Sequence, residues 1–351
     1  MDKKYKVIRE LAVKKNPKTG KWLYGRREIM RRAEATEWAV RKVLGELRGS
    51  GQGAHSAPVP EERRRMQIAK EQVDLPTIVV NVPKRKIRKA PKRDTEQVVI
   101  GSDFHAPYAH EPSCEVFYRV IEDLQPDKVV LLGDVINLDH FGSFDKLPGI
   151  PTWLEDVKHA AEILGNVRAA APNADLVWYR GNHEQRLEKH LIRHDPILYE
   201  VLDMEKLFLL ADLEVNHMKQ WAYKNVSEEL DEELGIVFAH GHKVRKHSGM
   251  TAFAHVDDLG MSMVLGHSHR LGLYRKSTGR SRYLGEQPLF GIDNGCLCRY
   301  DIPYVDGRTS NWQHGFSVLS VDRSGERPVI EPSIVEIGDG RAIFRGKIYK
   351  T

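Results

Sequence analysis

Five apolar runs in this chain of 351 residues each end in residues that bind metals. They are Val98-Val99-Ile100-Gly101-Ser102-Asp103-Phe104-His105, Val129-Val130-Leu131-Leu132-Gly133-Asp134 and Leu176-Val177-Trp178-Tyr179-Arg180-Gly181-Asn182-His183-Glu184. Two more follow, Ile236-Val237-Phe238-Ala239-His240-Gly241-His242 and Met263-Val264-Leu265-Gly266-His267-Ser268-His269. Runs that are apolar at successive positions read as strands buried on both faces. Open sheets gather ligands at the C-terminal ends of such strands. Five deliveries of Asp, Asn or His to strand ends therefore describe an α/β fold built around a metal site.

The spacing inside the blocks supports this. Residues two apart on a strand end project to one face, so Asp103 with His105, and His267 with His269, can each reach one ion. A pair of divalent metals roughly 3.5–4 Å apart needs a bridging carboxylate. Asp134, after Gly133 on a buried strand, is placed for that, while Asn182 offers a neutral oxygen and His240 a further imidazole. Mixed imidazole and oxygen donors suit manganese, iron or zinc better than magnesium or calcium.

Between the blocks, strands alternate with helices. Helices are expected from Pro112 to Leu124, from Thr152 to Ala170, from Gln185 to Leu213 with a break at Asp195-Pro196, and from Met250 to Leu259. Strand 263–265 is read as completing the core. The tail carries β runs over 316–322, 328–336 and 343–349.

Charge divides the chain unevenly. Residues 1–94 hold 26 Lys+Arg against 11 Asp+Glu, or +15, and the remainder holds 28 against 38, or −10, which together give the overall +5. Such polarity suggests that the front end meets a polyanion. Residues 1–50 read as a basic helical domain. Its first helix carries Val7, Ile8, Leu11 and Ala12 on one face, the second Ile29, Met30 and Ala33, and the third Val40, Val43, Leu44 and Leu47. The near-contiguity of the second and third resembles a helix-turn-helix, with Arg26, Arg27, Arg31, Arg32, Arg41 and Lys42 as candidate nucleic-acid contacts. A basic helical hairpin for oligomerisation or RNA contact is the alternative. Residues 51–94 read as a flexible basic linker, and 95–351 as the metal-binding α/β domain.

No apolar stretch approaches the roughly 20 residues that cross a bilayer. Met1-Asp2-Lys3-Lys4 lacks the apolar core of a secretion signal. Three cysteines provide no disulfide framework, so a cytoplasmic protein is expected. Cys296 and Cys298 lack a second pair and do not read as a structural zinc site.

The ordered motifs Asp-X-His, Gly-Asp, Gly-Asn-His-Glu, a Gly-His block and Gly-His-X-His resemble the calcineurin-like metallophosphoesterase superfamily over about residues 96–320. The resemblance implies a four-layer α/β/β/α sandwich with a dinuclear site. It implies Asp103, His105 and His269 as ligands of one metal, Asn182, His240 and His267 as ligands of the other, and Asp134 as the bridge. His183 is implied as the group that protonates the leaving alkoxide or stabilises the transition state, after a metal-activated hydroxide attacks phosphorus. Arg180, His242 and Arg270 are candidate substrate contacts. One position departs from the family's second block, which often ends in Asp, where this chain has Asn137. The segments Asp293–Arg299 and Asn311–Phe316 resemble those of phage and prophage members, with Asn294 and Gly295 read as a turn near the site.

A shared site does not choose a substrate. The basic front end favours a nuclease acting on DNA. A nucleotide or phosphoprotein phosphoesterase is the alternative, with 185–235 as the candidate specificity insert. A DNA-binding regulator with a vestigial domain is the third, and the intact ligand set opposes it.

Overall fold

The structure is a computed structural model that describes residues 3–14, 29, 32, 33, 43, 80–85, 88–142, 149–199, 202, 204–208, 210–218, 230–277, 288–305 and 311–351. The chain divides into two compact units, Met1–Asp74 and Leu75–Thr351.

In the first unit α1 spans Lys3–Ala12. Its buried face is Ile8 and Ala12, four residues apart, whereas Val7, expected on that face, is 39% exposed. Ile29, Ala33 and Val43 are also buried, at positions expected to be apolar faces. Most of the expected second and third helices lie outside the described residues.

The second unit contains two sheets. The first has six strands: β1 (Glu96–Gly101), β2 (Lys128–Leu131), β3 (Asp175–Tyr179), β4 (Val215–Met218), β10 (Gly315–Asp322) and β11 (Val329–Glu336). Their order is β11-β10-β1-β2-β3-β4, with β1 to β4 mutually parallel. The second sheet has five: β5 (Leu230–Asp231), β6 (Ile236–Ala239), β7 (Ser262–Leu265), β8 (Leu271–Lys276) and β9 (Leu289–Asn294). Their order is β5-β6-β7-β9-β8. A terminal hairpin joins β12 (Arg341–Phe344) to β13 (Lys347–Lys350).

Strand periodicity explains the layers. In β1 and β2, Val99, Val129 and Leu131 face one core, while Val98, Ile100 and Val130 face another. That second core lies between the sheets, where these residues meet Ile236, Phe238, Val264 and Ile292. The first core is roofed by α2 (Glu111–Leu124) and α3 (Trp153–Ala170), through Phe117, Ile121, Val157 and Leu164. Behind the second sheet, Ala252 and Val256 of α7 (Met250–Leu259) cover Val237, Met263 and Leu265. The result is the expected α/β/β/α sandwich, and the apolar runs of β1, β2, β6 and β7 are continuous because those strands are buried on both faces.

Local signals set the helix ends. Thr152 accepts from the Glu155 N–H at 3.3 Å, and Glu155 accepts from the Thr152 N–H at 2.7 Å, a reciprocal cap that starts α3. The expected break at Asp195-Pro196 separates α4 (Glu184–His194) from α5 (Pro196–Tyr199), with α6 (Met204–Leu207) beyond.

Two expectations change. The core does not finish at β7: β8 and β9 follow, and β9 pairs between β7 and β8. Its sequence breaks the apolar run at Gly291, where a Cβ would stand 2.8 Å from Val256 and 2.9 Å from Ala252. The glycine lets α7 settle on the sheet and hides the strand signal. The stretch 185–235 is not wholly an insert, since Phe208, Leu210 and Leu213 enter the first core and β4 extends its sheet beside β3.

Residues 81–85 and 88–94, read as linker, belong to the second unit. Arg85 donates to Glu115 at 2.7 Å, to Glu122 at 2.8 Å and to Asn166 at 3.0 Å. Arg93 donates to Asp127 at 2.8 Å and to the Gln125 carbonyl at 2.9 Å. These cations serve the fold. No helix among the described residues is long and apolar enough to cross a membrane.

Candidate metal centre

Each of the five blocks leaves its strand at the same edge of the sandwich. After β1 and β2 the chains stay laced together: Asp103 N–H donates to Gly133 O at 3.1 Å, and His105 N–H to Asp134 O at 2.8 Å. Gly133 and Gly181 permit this crowding. A Cβ on Gly133 would stand 2.5 Å from the Gly181 nitrogen, and one on Gly181 would stand 2.2 Å from Asp134 Oδ1. Ten described residues other than glycine have positive φ, and five of them are Asp103, His105, Asp134, His267 and His269, at 49–64°. That backbone costs on the order of 1 kcal/mol per residue. Its concentration here shows that the turns are shaped by the site.

The side chains converge on two adjoining points. At the first, His269 Nε2 lies 3.1 Å from Asp103 Oδ1 and 3.0 Å from His105 Nε2. At the second, His240 Nε2 lies 3.0 Å from Asn182 Oδ1 and 3.1 Å from Asp134 Oδ2, and Asp134, His240 and His267 form a compact donor group. Asp134 also reaches the first point, with Oδ2 at 3.7 Å from His105 Nε2. All seven residues singled out as ligands are therefore together, and Asp134 is shared between the two sets.

The donor set fits divalent metals. His105 Nδ1 faces the Asn137 Oδ1 acceptor at 3.0 Å, and His240 Nδ1 faces the Leu132 carbonyl at 2.7 Å. Both rings thus spend Nδ1–H outward and turn Nε2 inward, the orientation metal-ligating imidazoles require. Inside stand carboxylates, an amide oxygen and imidazole lone pairs, all electron donors. Burial opposes the ionised form of Asp134, but His183, His240 and His105 outweigh it and hold the carboxyl well below its usual range. Burial likewise opposes charge on His240, yet Asp134 and Asp103 push it up to about 10. The cluster demands positive charge at its centre, supplied by a proton on His240 or by metal.

Three neighbours escaped sequence reasoning. Glu184, 2% exposed, accepts the backbone N–H of Gly181 at 2.8 Å, Asp134 at 3.0 Å and Val135 at 2.8 Å. The Gly-Asn-His-Glu block contained it, but its target is backbone, which no spacing reveals. Arg186 donates to the Asn137 carbonyl and to Asp139, each at 2.9 Å, and its Nη2 lies 3.0 Å from His183 Nε2. Cys298 Sγ stands 4.0 Å from His269 Nδ1.

His183 lies beside the cluster, with Nε2 3.8 Å from Asp134 Oδ2. Its Nδ1 is 2.9 Å from the Asn137 carbonyl, an acceptor, so Nδ1 carries the hydrogen and Nε2 accepts from Arg186. Burial lowers its pKa well below the ordinary value, and Arg186 and His105 add to that despite Asp134. As placed, Nε2 faces a donor, an arrangement that serves the second of the two roles the family pattern implied, support of the transition state.

The candidate substrate contacts are more scattered. Arg180 pairs with Glu188. Arg270 donates to the Ser268 carbonyl at 3.2 Å. His242 is exposed, with its ring 5.7 Å from that of His255. Asn294 is the last residue of β9 and donates to Ile100 O at 3.1 Å, bracing β1, while Gly295 turns at φ 77°. Arg32 is exposed; Arg26, Arg27, Arg31, Arg41 and Lys42 lie outside the described residues.

The family model for calcineurin-like phosphoesterase matches residues 97–290. The chain is 27% identical to the Gene 54 protein of Mycobacterium phage D29 over 267 residues, covering 73% of this chain and 99% of that protein. It is 25% identical to the Gene 54 protein of Mycobacterium phage L5 over 276 residues, covering 73% and 99%. Among solved structures, Vps29 from Entamoeba histolytica matches at 17% identity and a TM-score of 0.34, covering 72% of this chain and 95% of that one.

Proposed function

The chain belongs to the calcineurin-like phosphoesterase family and is a metal-dependent phosphoesterase; from that premise we propose that it is a nuclease acting on DNA. The observation that carries the choice of DNA is the +15 charge of residues 1–94. A polycationic segment raises the local concentration of a polyanionic substrate without a dedicated pocket. Arg85, Arg88 and Arg93 are spent on carboxylates of the domain itself, so the contacts fall to residues such as Arg26, Arg27, Arg31, Arg32, Arg41 and Lys42.

Asp103, His105 and His269 hold one divalent ion in this proposal, Asn182, His240 and His267 the other, and Asp134 is shared. Manganese suits these mixed donors, with iron and zinc the alternatives of the same ligand class. When bound, such a pair supplies Lewis acidity toward phosphate oxygens and acidifies water toward neutral pH. The protein's own residues aim and support. Glu184 fixes the backbone that carries Asp134, and Asn137 fixes the His105 ring. Arg186, held by His183, Asn137 and Asp139, is the fixed cation that offsets charge on the leaving oxygen. His183 aims that guanidinium. The three buried thiols, Cys114, Cys296 and Cys298, fit a cytoplasmic setting.

The test is hydrolysis with manganese of single- and double-stranded DNA, bis-p-nitrophenyl phosphate and p-nitrophenyl phosphate. A DNA nuclease cleaves DNA and the diester. Activity on the monoester alone identifies a phosphatase and ends the nuclease assignment. Changing the six N-terminal cations to glutamine should weaken DNA binding and flatten its salt dependence while sparing the small diester.

A further inference from the structure

The loop that leaves β6 is exposed throughout Lys243-Val244-Arg245-Lys246-His247 and begins three residues after His240. It is tied to the segment before β10: Ser248 Oγ donates to Gln313 Oε1 at 2.9 Å, and Asn311 Nδ2 to the Lys246 carbonyl at 3.4 Å. Gln313 N–H in turn donates to the His269 carbonyl at 2.9 Å. The neighbouring Trp312 stands edge to face with the His269 ring, centroids 4.1 Å apart. Basic loop and metal-binding turn are thereby joined through one short segment.

Aromatic surface continues from there. Tyr300, 43% exposed, lies 6.4 Å from Trp312 and stacks on His314 at 4.1 Å and 19°, and His314 stacks on His110 at 4.3 Å and 10°. The stack fixes the plane of Tyr300 while leaving that ring accessible. Arg299, also exposed, precedes it. Asp258 lies 3.7 Å from Lys243 and Asp301 3.1 Å from Arg299, while Asp293 acts on Arg270 and Glu336 on Tyr300. Lys243, Arg245, Lys246, Arg270 and Arg299 outnumber these four carboxylates, and the excess of positive charge lies in the β6 loop.

Cations that track phosphates, interleaved with aromatic faces that stack bases, are what a single strand requires. We propose that Lys243, Arg245, Lys246, Tyr300 and Trp312 form a binding strip for single-stranded nucleic acid that leads the strand across the candidate metal centre. The proposal rests on the nuclease function above and adds the part of the surface that receives the substrate. Phosphates lie along the β6 loop, and bases stack at Tyr300 and Trp312.

The test uses the full-length protein and a 15-nucleotide DNA strand carrying 5-iodouracil, irradiated in the presence of a chelator. A cross-link on the peptide holding Tyr300 or Trp312 is expected; cross-links confined to residues 1–94 would overturn the strip. With manganese, the K243A/R245A/K246A variant should raise KM for the same strand at least tenfold. It should also reduce the salt slope by about 2, from three phosphate contacts on a single strand. Tyr300→Ala should raise KM by about 5- to 150-fold, one stacked base. Neither variant should change hydrolysis of bis-p-nitrophenyl phosphate. KM and cross-linking like wild type in both variants reject the strip. Cross-linking at Tyr300 with no cleavage of any DNA rejects the nuclease function and leaves the strip in place.

Discussion

Glu184 Oε2 sits 3.0 Å from the backbone nitrogen of Asp134, so one buried carboxylate positions another without touching its side chain. The same Glu184 takes the N–H groups of Gly181 and Val135, each at 2.8 Å. It therefore pins the turns after β2 and β3 to each other. Removing it leaves three buried donors unsatisfied, each costing about 1–3 kcal/mol. Glu184→Ala is expected to lower the melting temperature markedly and to weaken metal affinity by about 10- to 100-fold, the usual cost of losing a supporting group. Glu184→Gln keeps one acceptor oxygen but turns an NH2 toward backbone donors, and should fall between. Thermal unfolding with metal titration measures both. Wild-type metal affinity in Glu184→Ala would remove the positioning role.

Asn137 stands where the family often has Asp. Its Oδ1 faces His105 Nδ1 at 3.0 Å, while its Nδ2 is buried without a hydrogen-bond partner. The amide thus does half of its possible work. Asn137→Asp would place a charged acceptor behind His105 and remove the unpaired donor. It is expected to raise metal affinity severalfold with little change in stability. Asn137→Ala should lower affinity about 10- to 100-fold, because the ring loses its orientation. Calorimetric titration with manganese checks both, and equal affinities for Asn, Asp and Ala at this position would show that His105 needs no such support.

These supporting groups mark the limit of what the chain reveals before folding. The candidate ligands were legible because each follows an apolar strand, and a strand buried on both faces writes itself as an unbroken run. Glu184 was visible as a residue but not as a role, since its partners are main-chain N–H groups common to any sequence. Arg186 looked like one more helix cation, and only the turn bearing Asn137 and Asp139 gives it a target. Strand β9 was lost because Gly291, which α7 needs for close approach, interrupts the apolar pattern. Arg85 shows the reverse error: in a run of cations it reads as solvated, yet helix carboxylates hold it at 2.7 and 2.8 Å.

Asp156 gives the stability of the domain a pH dependence. It is 2% exposed, with Oδ2 lacking a partner. Burial, reinforced by Asp139 and only partly offset by a hydrogen bond from the Leu138 backbone, raises its pKa to about 7. Unfolding returns it toward the ordinary carboxylate value near 3.8. Between those values the folded state binds more protons than the unfolded one, so this group's contribution to stability is full below about 4 and is lost as pH rises through about 7. Asp156→Asn keeps an acceptor for Leu138 and abolishes the charge. The variant should therefore melt a few degrees above wild type at pH 8 and close to it at pH 4. An equal difference at both values would show that Asp156 titrates normally.

The pairing of His183 with Arg186 makes a prediction about leaving groups. A proton donor matters most when the departing oxygen is basic, as in the deoxyribose hydroxyl of DNA, and little when p-nitrophenolate leaves. A fixed cation offsets developing charge in both cases, more strongly for the poorer leaving group but without a titration of its own. The structure gives His183 a hydrogen on Nδ1, spent on the Asn137 carbonyl, and an Nε2 that accepts from Arg186 at 3.0 Å. Arg186→Ala should then reduce kcat by about 10²- to 10³-fold, the scale of one lost electrostatic donor. His183→Ala should lose no more than that, because its work passes through Arg186. The double variant should resemble the Arg186 single variant, since coupled residues are not additive. Measuring kcat for bis-p-nitrophenyl phosphate and for an oligonucleotide in all three variants decides the matter. If His183→Ala alone costs far more than Arg186→Ala, and only with the oligonucleotide, then His183 delivers the proton itself and its Nε2 is not occupied by Arg186 during the reaction.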